Sequence, residues 1–460
     1  MWAWMWLLLC ASSADEEASK LIESAERDAR GKRYAEARAT YQKLARKYPG
    51  TPEGALGERR SQPSAFLGWD WIKQTGPSSN RLDIVWMGDG WEFESLKDFD
   101  NLASDAATVL LRDEVMREYA SYLNLRRAIL VSAQNGVDGF GRDYDTPLGA
   151  HTTGTFAGHV GVDHSKVKRM LAEIPEHDGQ AIVFVRNGVL GTGGGGTAVI
   201  GGREMKTMVH EFGHSFGQLH DEYQTQQGHG GGGVPNDVNV SSTGDTTKVP
   251  WAHWITAKHP QVGAYEGAAG QVRGAWRPTA AGCIMDSAAT FCPVCREHLV
   301  LRLYEYVDPI DSVTPEPQAQ RIKVPYKVGD EPLKLTVQVM RPATHALEVE
   351  WYVLPERHFA RTGNGPSVRD DDGGQPAIGK RGTKPLADLH AKPSATSKGK
   401  SDGLHTLSIA QQDYEPGVWR VVCRVKDTTR LRGEKYPWVL KDELGLLQSE
   451  RGWWIEIPAR

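Results

Sequence analysis

Two histidines four residues apart, with a glutamate directly after the first, constrain this chain more than any other feature: His210-Glu211-Phe212-Gly213-His214. On a helix, positions i and i+4 lie one turn apart on the same face, so both imidazoles point the same way. Two neutral ring nitrogens at that spacing can bind one Zn²⁺, and the intervening carboxylate can reach a water carried by the ion. His220 stands six residues beyond His214, on the wrong face if the helix continues. Gly217 resolves this, because glycine can take φ > 0, end the helix and fold the chain back. The spacing predicts His210, His214 and His220 as three ligands, an open fourth position for water, and Glu211 as general base.

This is the spacing of the metzincin motif, H-E-x-x-H-x-x-G-x-x-H. It gives meaning to Met285 in Cys283-Ile284-Met285-Asp286. A methionine in a tight turn downstream of such a helix forms an apolar floor beneath the metal, and Met285 is assigned to that turn. Upstream, Gly191-Thr192-Gly193-Gly194-Gly195-Gly196 lacks the Lys-Ser/Thr of a phosphate loop. Gly193, Gly194 and Gly195 are read as a flexible rim of the cleft, where missing side chains let a substrate backbone approach. His229, in a second glycine-rich loop over 228–233, is read as an exposed loop residue.

The N-terminus, Met1 to Cys10, is a short apolar run followed by Ala11-Ser12-Ser13-Ala14 and acidic residues. It is too short to span a bilayer and reads as a secretory signal over 1–14, which implies a secreted, periplasmic or cell-surface protein. No other stretch is long and apolar enough to cross a membrane. A net charge of −4 without a basic block argues against nucleic acid as partner; the oligomeric state is open. Export permits disulfides among Cys283, Cys292, Cys295 and Cys423. A disulfide within Cys283, Cys292 and Cys295 would hold the methionine turn. The alternative is a structural zinc on the C-x-x-C pair with His298.

Period and punctuation divide the rest. Residues 15–50 read as a helical hairpin resembling one tetratricopeptide repeat, docked or left as a spacer, and 51–80 as a linker. Strands alternate with helices over 81–308, which predicts an α/β sandwich, and the zinc motif inside it makes this the expected metzincin-like zinc-peptidase domain. Calcium at Asp138–Asp145 is conceivable, but the order of carboxylates fits an ordinary turn better. After a linker over 309–319, residues 320–460 alternate apolar and polar positions, as in Leu333–Val339 and Val418–Val425. They predict an all-β immunoglobulin-like sandwich. A polar stretch over 357–403 reads as a disordered insertion.

Asp83-Ile84-Val85 with Gly88-Asp89-Gly90, the Gly193–Gly195 run, His210 through Tyr223, and Cys283-Ile284-Met285 with Phe291-Cys292-Pro293-Val294-Cys295 together resemble the peptidase M64 family of bacterial secreted metalloendopeptidases, often described as IgA peptidases. The resemblance covers roughly 81–306 and implies zinc-assisted hydrolysis of peptide bonds in a protein or peptide substrate. Nothing in the residues encodes an antibody substrate. The family pattern runs H-E-x-x-H-x-x-G-x-x-x-D-E-Y, which makes Asp221 the alternative third ligand to His220, or otherwise an acceptor for a ligand N–H. Tyr223 is expected to pack beside the site or assist at the oxyanion. Two other functions compete with this one: a non-catalytic cell-surface binding protein, and a zinc amidase acting on cell-wall amides.

Overall fold

Ile84–Met87 is an unbroken apolar run, and a strand of that kind must be covered on both faces. The computed structural model provides that cover; it describes residues 2–139, 141–153, 159–225, 233–318, 320–325, 331–360, 392–398 and 402–459. The chain begins with α1 (Trp2–Arg30), α2 (Tyr34–Lys47) and α3 (Pro52–Arg60). Strands follow as β1 (Ala65–Lys73), β2 (Leu82–Asp89), β3 (Leu123–Val131), the short pair β4 (His151–Thr152) and β5 (Val160–Gly161), then β6 (Gln180–Val185), β7 (Gly191–Gly194) and β8 (Thr197–Gly201). All but β4 and β5 join one sheet in the order β1-β3-β2-β6-β8-β7. The strands β3, β2, β6 and β8 run parallel, with β1 and β7 antiparallel at the edges.

Alternate residues of β2 serve opposite layers. Ile84 and Trp86 face a cluster with Phe99 and Leu102 of α4 (Leu96–Leu110). Val85 and Met87 face Val167 and Leu171 of α6 (His164–Leu171), which follows the single turn α5 (Glu114–Glu118). The helix α7 (Met205–Ser215) lies on the α4 side, with Met208 and Phe212 in the same cluster.

The N-terminal helices dock on this sheet. Ala25, Ala29, Ala37, Tyr41 and Leu44 are buried, the Tyr41 hydroxyl donates to Leu67 O of β1 at 3.0 Å, and that of Tyr34 donates to Asp100 of α4. The linker expected over 51–80 is corrected here. Thr51 caps α3 by accepting from Gly54 N, and 65–73 is the edge strand β1. Gly68 sits at a bulge, which breaks the alternation that would have marked β1 in the sequence.

Beyond α8 (Ala252–Thr256) and the ribbon of β9 (Tyr265–Ala268) and β10 (Gln271–Arg277), α9 (Pro293–Tyr304) leads into the C-terminal strands. These are β11 (Ile310–Thr314), β12 (Ile322–Lys323), β13 (Leu333–Val339), β14 (Glu348–Pro355), β15 (Ala395–Lys398), β16 (Leu404–Ile409), β17 (Gly417–Lys426) and β18 (Gln448–Ile457), with α10 (Glu356–Ala360) after β14. They form two sheets, β11-β13-β16 and β12-β18-β17-β14-β15. Leu335, Val337, Val349, Trp351, Val421 and Ile455 from both sheets share one apolar cluster.

The linker expected over 309–319 is likewise corrected, because 310–314 is β11, paired with β13. Most of the insertion expected over 357–403 lies outside the described residues. Its end does not: Ala395–Lys398 is β15, paired with β14 from Glu348 to Trp351. Among the described residues no helix is long and apolar enough to cross a membrane.

A buried polar junction ties the β sheets to the α/β part. Tyr119 and Tyr304 both donate to Asp427 Oδ2, at 2.8 and 2.7 Å. His345 bridges Glu118 Oε1 and Asp427 Oδ1, at 2.8 and 2.7 Å. Arg81 pairs with Asp311 at 2.7 Å.

Candidate metal centre

The site starts from α7, which packs between the sheet and a turn from far along the chain. Met208, Phe212 and Ser215 are buried on its inner side. Gly213 is small of necessity, since a Cβ there would lie 2.7 Å from Met285 Sδ and 3.0 Å from the Phe291 ring. Met285, fully buried, thus underlies the helix between the two histidines.

His210 and His214 stand 4.8 Å apart with rings nearly perpendicular. Each is oriented through Nδ1: His210 on Ile284 O at 2.9 Å, His214 on Leu219 O at 2.6 Å. That leaves both Nε2 atoms facing each other, 3.1 Å apart. Fixing one ring nitrogen on a carbonyl so that the other presents its lone pair is how ligating histidines are set.

The third corner is Asp221. Its Oδ1 lies 3.2 Å from His210 Nε2 and 3.1 Å from His214 Nε2, closing a near-equilateral triangle. A tetrahedral zinc with bonds of about 2.0–2.1 Å to nitrogen and oxygen needs ligand atoms about 3.3 Å apart. The donor set therefore fits, two imidazoles and a carboxylate on a scale suited to one cation. Burial alone would raise the Asp221 carboxyl, but its bonds to the two histidines outweigh burial and hold it well below the usual carboxylate range. Burial would lower both histidines, and Asp221 reverses that too.

His220, the third ligand expected from spacing, is not in the triangle. Its Nε2 lies 3.6 Å from Asp237 Oδ2, and its side chain is partly exposed. The reason is the turn. The left-handed residue is Gln218, at φ +52, and not Gly217. Gly217 is needed for space instead, because a Cβ would meet Gly213 O at 2.6 Å and Leu299 at 2.8 Å. With the reversal one residue later than the glycine, the third corner of the triangle also arrives one residue later. Asn239 then pins His220 by its backbone, accepting from its N at 2.9 Å and donating to its O at 2.8 Å.

Glu211 is buried beside the histidines, and burial raises its pKa against the pull of His214 and His210. The Tyr223 ring stacks on His210 at 6.4 Å, and its hydroxyl bonds to Asp221. The glycine run is not one loose rim. Gly191 and Gly193 lie in β7, pressed on α7: a Cβ on Gly193 would meet Glu211 O at 2.5 Å and His214 Cβ at 2.7 Å. Gly194 and Gly195, at the hairpin turn, face open space. The glycine-rich loop at His229 lies outside the described residues.

Cys283, Cys292 and Cys295 form no disulfide; all are free, with Cys283 and Cys295 Sγ 3.7 Å apart against the roughly 2.05 Å of an S–S bond. His298 is not with them, and its ring bonds to the Gly217 backbone instead. Their fourth neighbour is Glu222. Two residues escaped the sequence reading, Glu222 and Asn239, whose Nδ2 also donates to Glu222 Oε1 at 3.0 Å. The acidic pair Asp221-Glu222 was a signal for the first; nothing in the loop around Asn239 marks the second.

Residues 71–261 match the family model of the IgA Peptidase M64 family. This stretch, from within β1 to just past α8, is what the chain shares with those peptidases, which are metallopeptidases. It begins earlier than the resemblance read from motifs and stops before the Cys283–Cys295 segment. Among curated proteins none matches the chain.

Proposed function

We propose, taking as premise that residues 71–261 are shared with the M64 peptidases, that this chain is a zinc-dependent endopeptidase acting on proteins or peptides. His210, His214 and Asp221 hold the ion, and Glu211 is the general base. The observation that carries the reading is the triangle of two Nε2 atoms and one carboxylate oxygen, 3.1–3.2 Å on each side. Bound there, zinc would acidify a water and polarise the scissile carbonyl. Everything else is done by the chain. The Glu211 carboxylate takes a proton from the attacking water and returns it to the leaving amine. Its raised pKa moves it towards the range in which one group can both accept and release a proton.

The Ile284 and Leu219 carbonyls keep both imidazoles in the tautomer that leaves Nε2 free. Tyr223 holds the Asp221 carboxylate. Gly194 and Gly195 leave the rim open to a substrate backbone. We read the α/β part as metzincin-like and the two C-terminal sheets as an immunoglobulin-like sandwich, from motif and strand pattern. Export follows from the apolar Met1–Cys10 run and the small residues after it.

The test is digestion of casein by the purified chain, with and without chelator, beside Glu211→Ala. Chelator should stop cleavage; the variant should keep its zinc and lose activity by about 10²–10⁴-fold. Undiminished cleavage by the variant would overturn the assignment, and release of peptidoglycan fragments without proteolysis would favour the amidase.

A further inference from the structure

Behind the triangle lies a second group of donors that the hydrolytic mechanism does not use. Glu222, Cys283, Cys292 and Cys295 are all buried, each 1 % exposed or less. One donor atom from each lies within 4.8 Å of all the others. We propose that these four side chains bind a second, structural zinc ion, which locks the methionine turn and the Asp221 segment in place.

Three observations carry this. The first is scale. Zn–S bonds of about 2.3 Å at tetrahedral angles put sulfurs about 3.8 Å apart, and a sulfur and a carboxylate oxygen about 3.5 Å apart. Cys283 and Cys295 Sγ are 3.7 Å apart, and Glu222 Oε1 lies 3.1 Å from Cys295 Sγ and 3.8 Å from Cys292 Sγ.

The second is charge. Glu222 Oε2 has no hydrogen-bond partner, and Oε1 receives only Asn239 Nδ2 and the thiols. The Arg277 guanidinium reaches Glu222 only at its backbone O and pairs with Asp286. A divalent ion placed among the thiols would meet this buried, part-unpartnered carboxyl directly and needs no other cation beside it.

The third is parity. Three thiols in one cluster cannot all be used by disulfides, whereas one metal uses all three. Cys292-Pro293-Val294-Cys295 has the C-x-x-C spacing of structural zinc sites, and Cys292 stands at the N-cap position of the twelve-residue α9 with its thiol left free for the cluster rather than used on the helix end. The Cys292 N–H donates to Cys283 Sγ at 3.4 Å.

The two centres share a frame. Glu222 follows Asp221 directly, and its N–H donates to Met285 O at 2.7 Å. Cys283 precedes Ile284, whose carbonyl orients His210. An ion on the thiols therefore fixes both the third ligand and the carbonyl behind the first.

The experiment is zinc analysis with X-ray absorption at the zinc edge on the full-length chain and on a His210→Ala/His214→Ala variant, which leaves every cysteine intact. Wild type should hold two zinc per chain and the variant one, that one bonded mainly to sulfur. Cobalt-substituted variant should show thiolate-to-metal charge-transfer absorption, lost in Cys292→Ser. If Cys292→Ser does not fold, the histidine variant still decides. A variant without sulfur-bonded metal, its cysteines recovered as free thiols or as a disulfide by mass spectrometry, overturns the proposal. A sulfur-bonded ion in both proteins, with no second zinc in wild type, would instead sink the peptidase centre and leave this one standing.

Discussion

Asp221 and His220 are neighbours that the fold treats oppositely. Asp221 Oδ1 touches both Nε2 atoms, while His220 is held by Asn239 and faces Asp237. His220→Ala should therefore leave zinc affinity and turnover within about threefold of wild type, as surface substitutions do. Asp221→Ala should lower zinc affinity by at least the roughly 10–100-fold seen when mere supporting partners are lost. Competition against a chelator of known affinity measures both, and equal effects would contradict the placement. At this scale the sequence was informative wherever helical geometry alone decides. His210 and His214 share a face because they are four apart, and Glu211 comes with them. The third corner depends on where a turn reverses, and nothing in Phe216-Gly217-Gln218 says that the left-handed residue is the glutamine.

The strand β7 and the helix α7 show why a glycine run can mislead. As a string of six residues it has a single β-former, Thr192, to mark a strand and otherwise every mark of a flexible loop. In the fold its residues Gly191–Gly194 are a strand pressed so close to the histidine helix that a side chain on Gly193 would strike backbone. Gly193→Ala should then destabilise the protein by about 1–3 kcal/mol, as overpacking does, and depress activity by displacing Glu211 and His214. Gly195→Ala, at φ +57 but facing open space, should cost only about 1 kcal/mol and spare turnover. Thermal melting with a peptide assay on both variants checks the contrast; similar losses would contradict it. The strands with clean alternation, β13, β14 and β17, are legible from period alone. β1 and β11 are not, the first broken by a bulge and the second bracketed by prolines that read as a linker.

Across the molecule, the junction at His345 is the electrostatic joint between the two halves. Burial would lower its pKa, but bonds to Asp427 and Glu118 win and push it up to about 9. A group raised in the folded state stabilises fully below its unfolded value, about 6.5, and that contribution is lost as pH rises through about 9. The shift corresponds to roughly 3 kcal/mol. His345→Gln should therefore melt several degrees below wild type at pH 6, with the gap narrowing above pH 9; a constant gap would reject the assignment. No sequence pattern announces this joint, because its members are spread from Glu118 to Asp427 and none falls in a motif with another across that span.

Met285, lodged under Gly213 from a turn beyond residue 261, bears on how this protein can be taken apart. An excised 71–261 fragment would lack its own floor, the carbonyl that steers His210, and the helices Tyr41 and Tyr34 anchor to β1 and α4. Such a fragment should come out insoluble or inert, with poor chemical-shift dispersion, whereas the uncut polypeptide should give well-dispersed spectra. The heritable unit that a family profile detects is smaller than the cooperative unit that must survive for it to work.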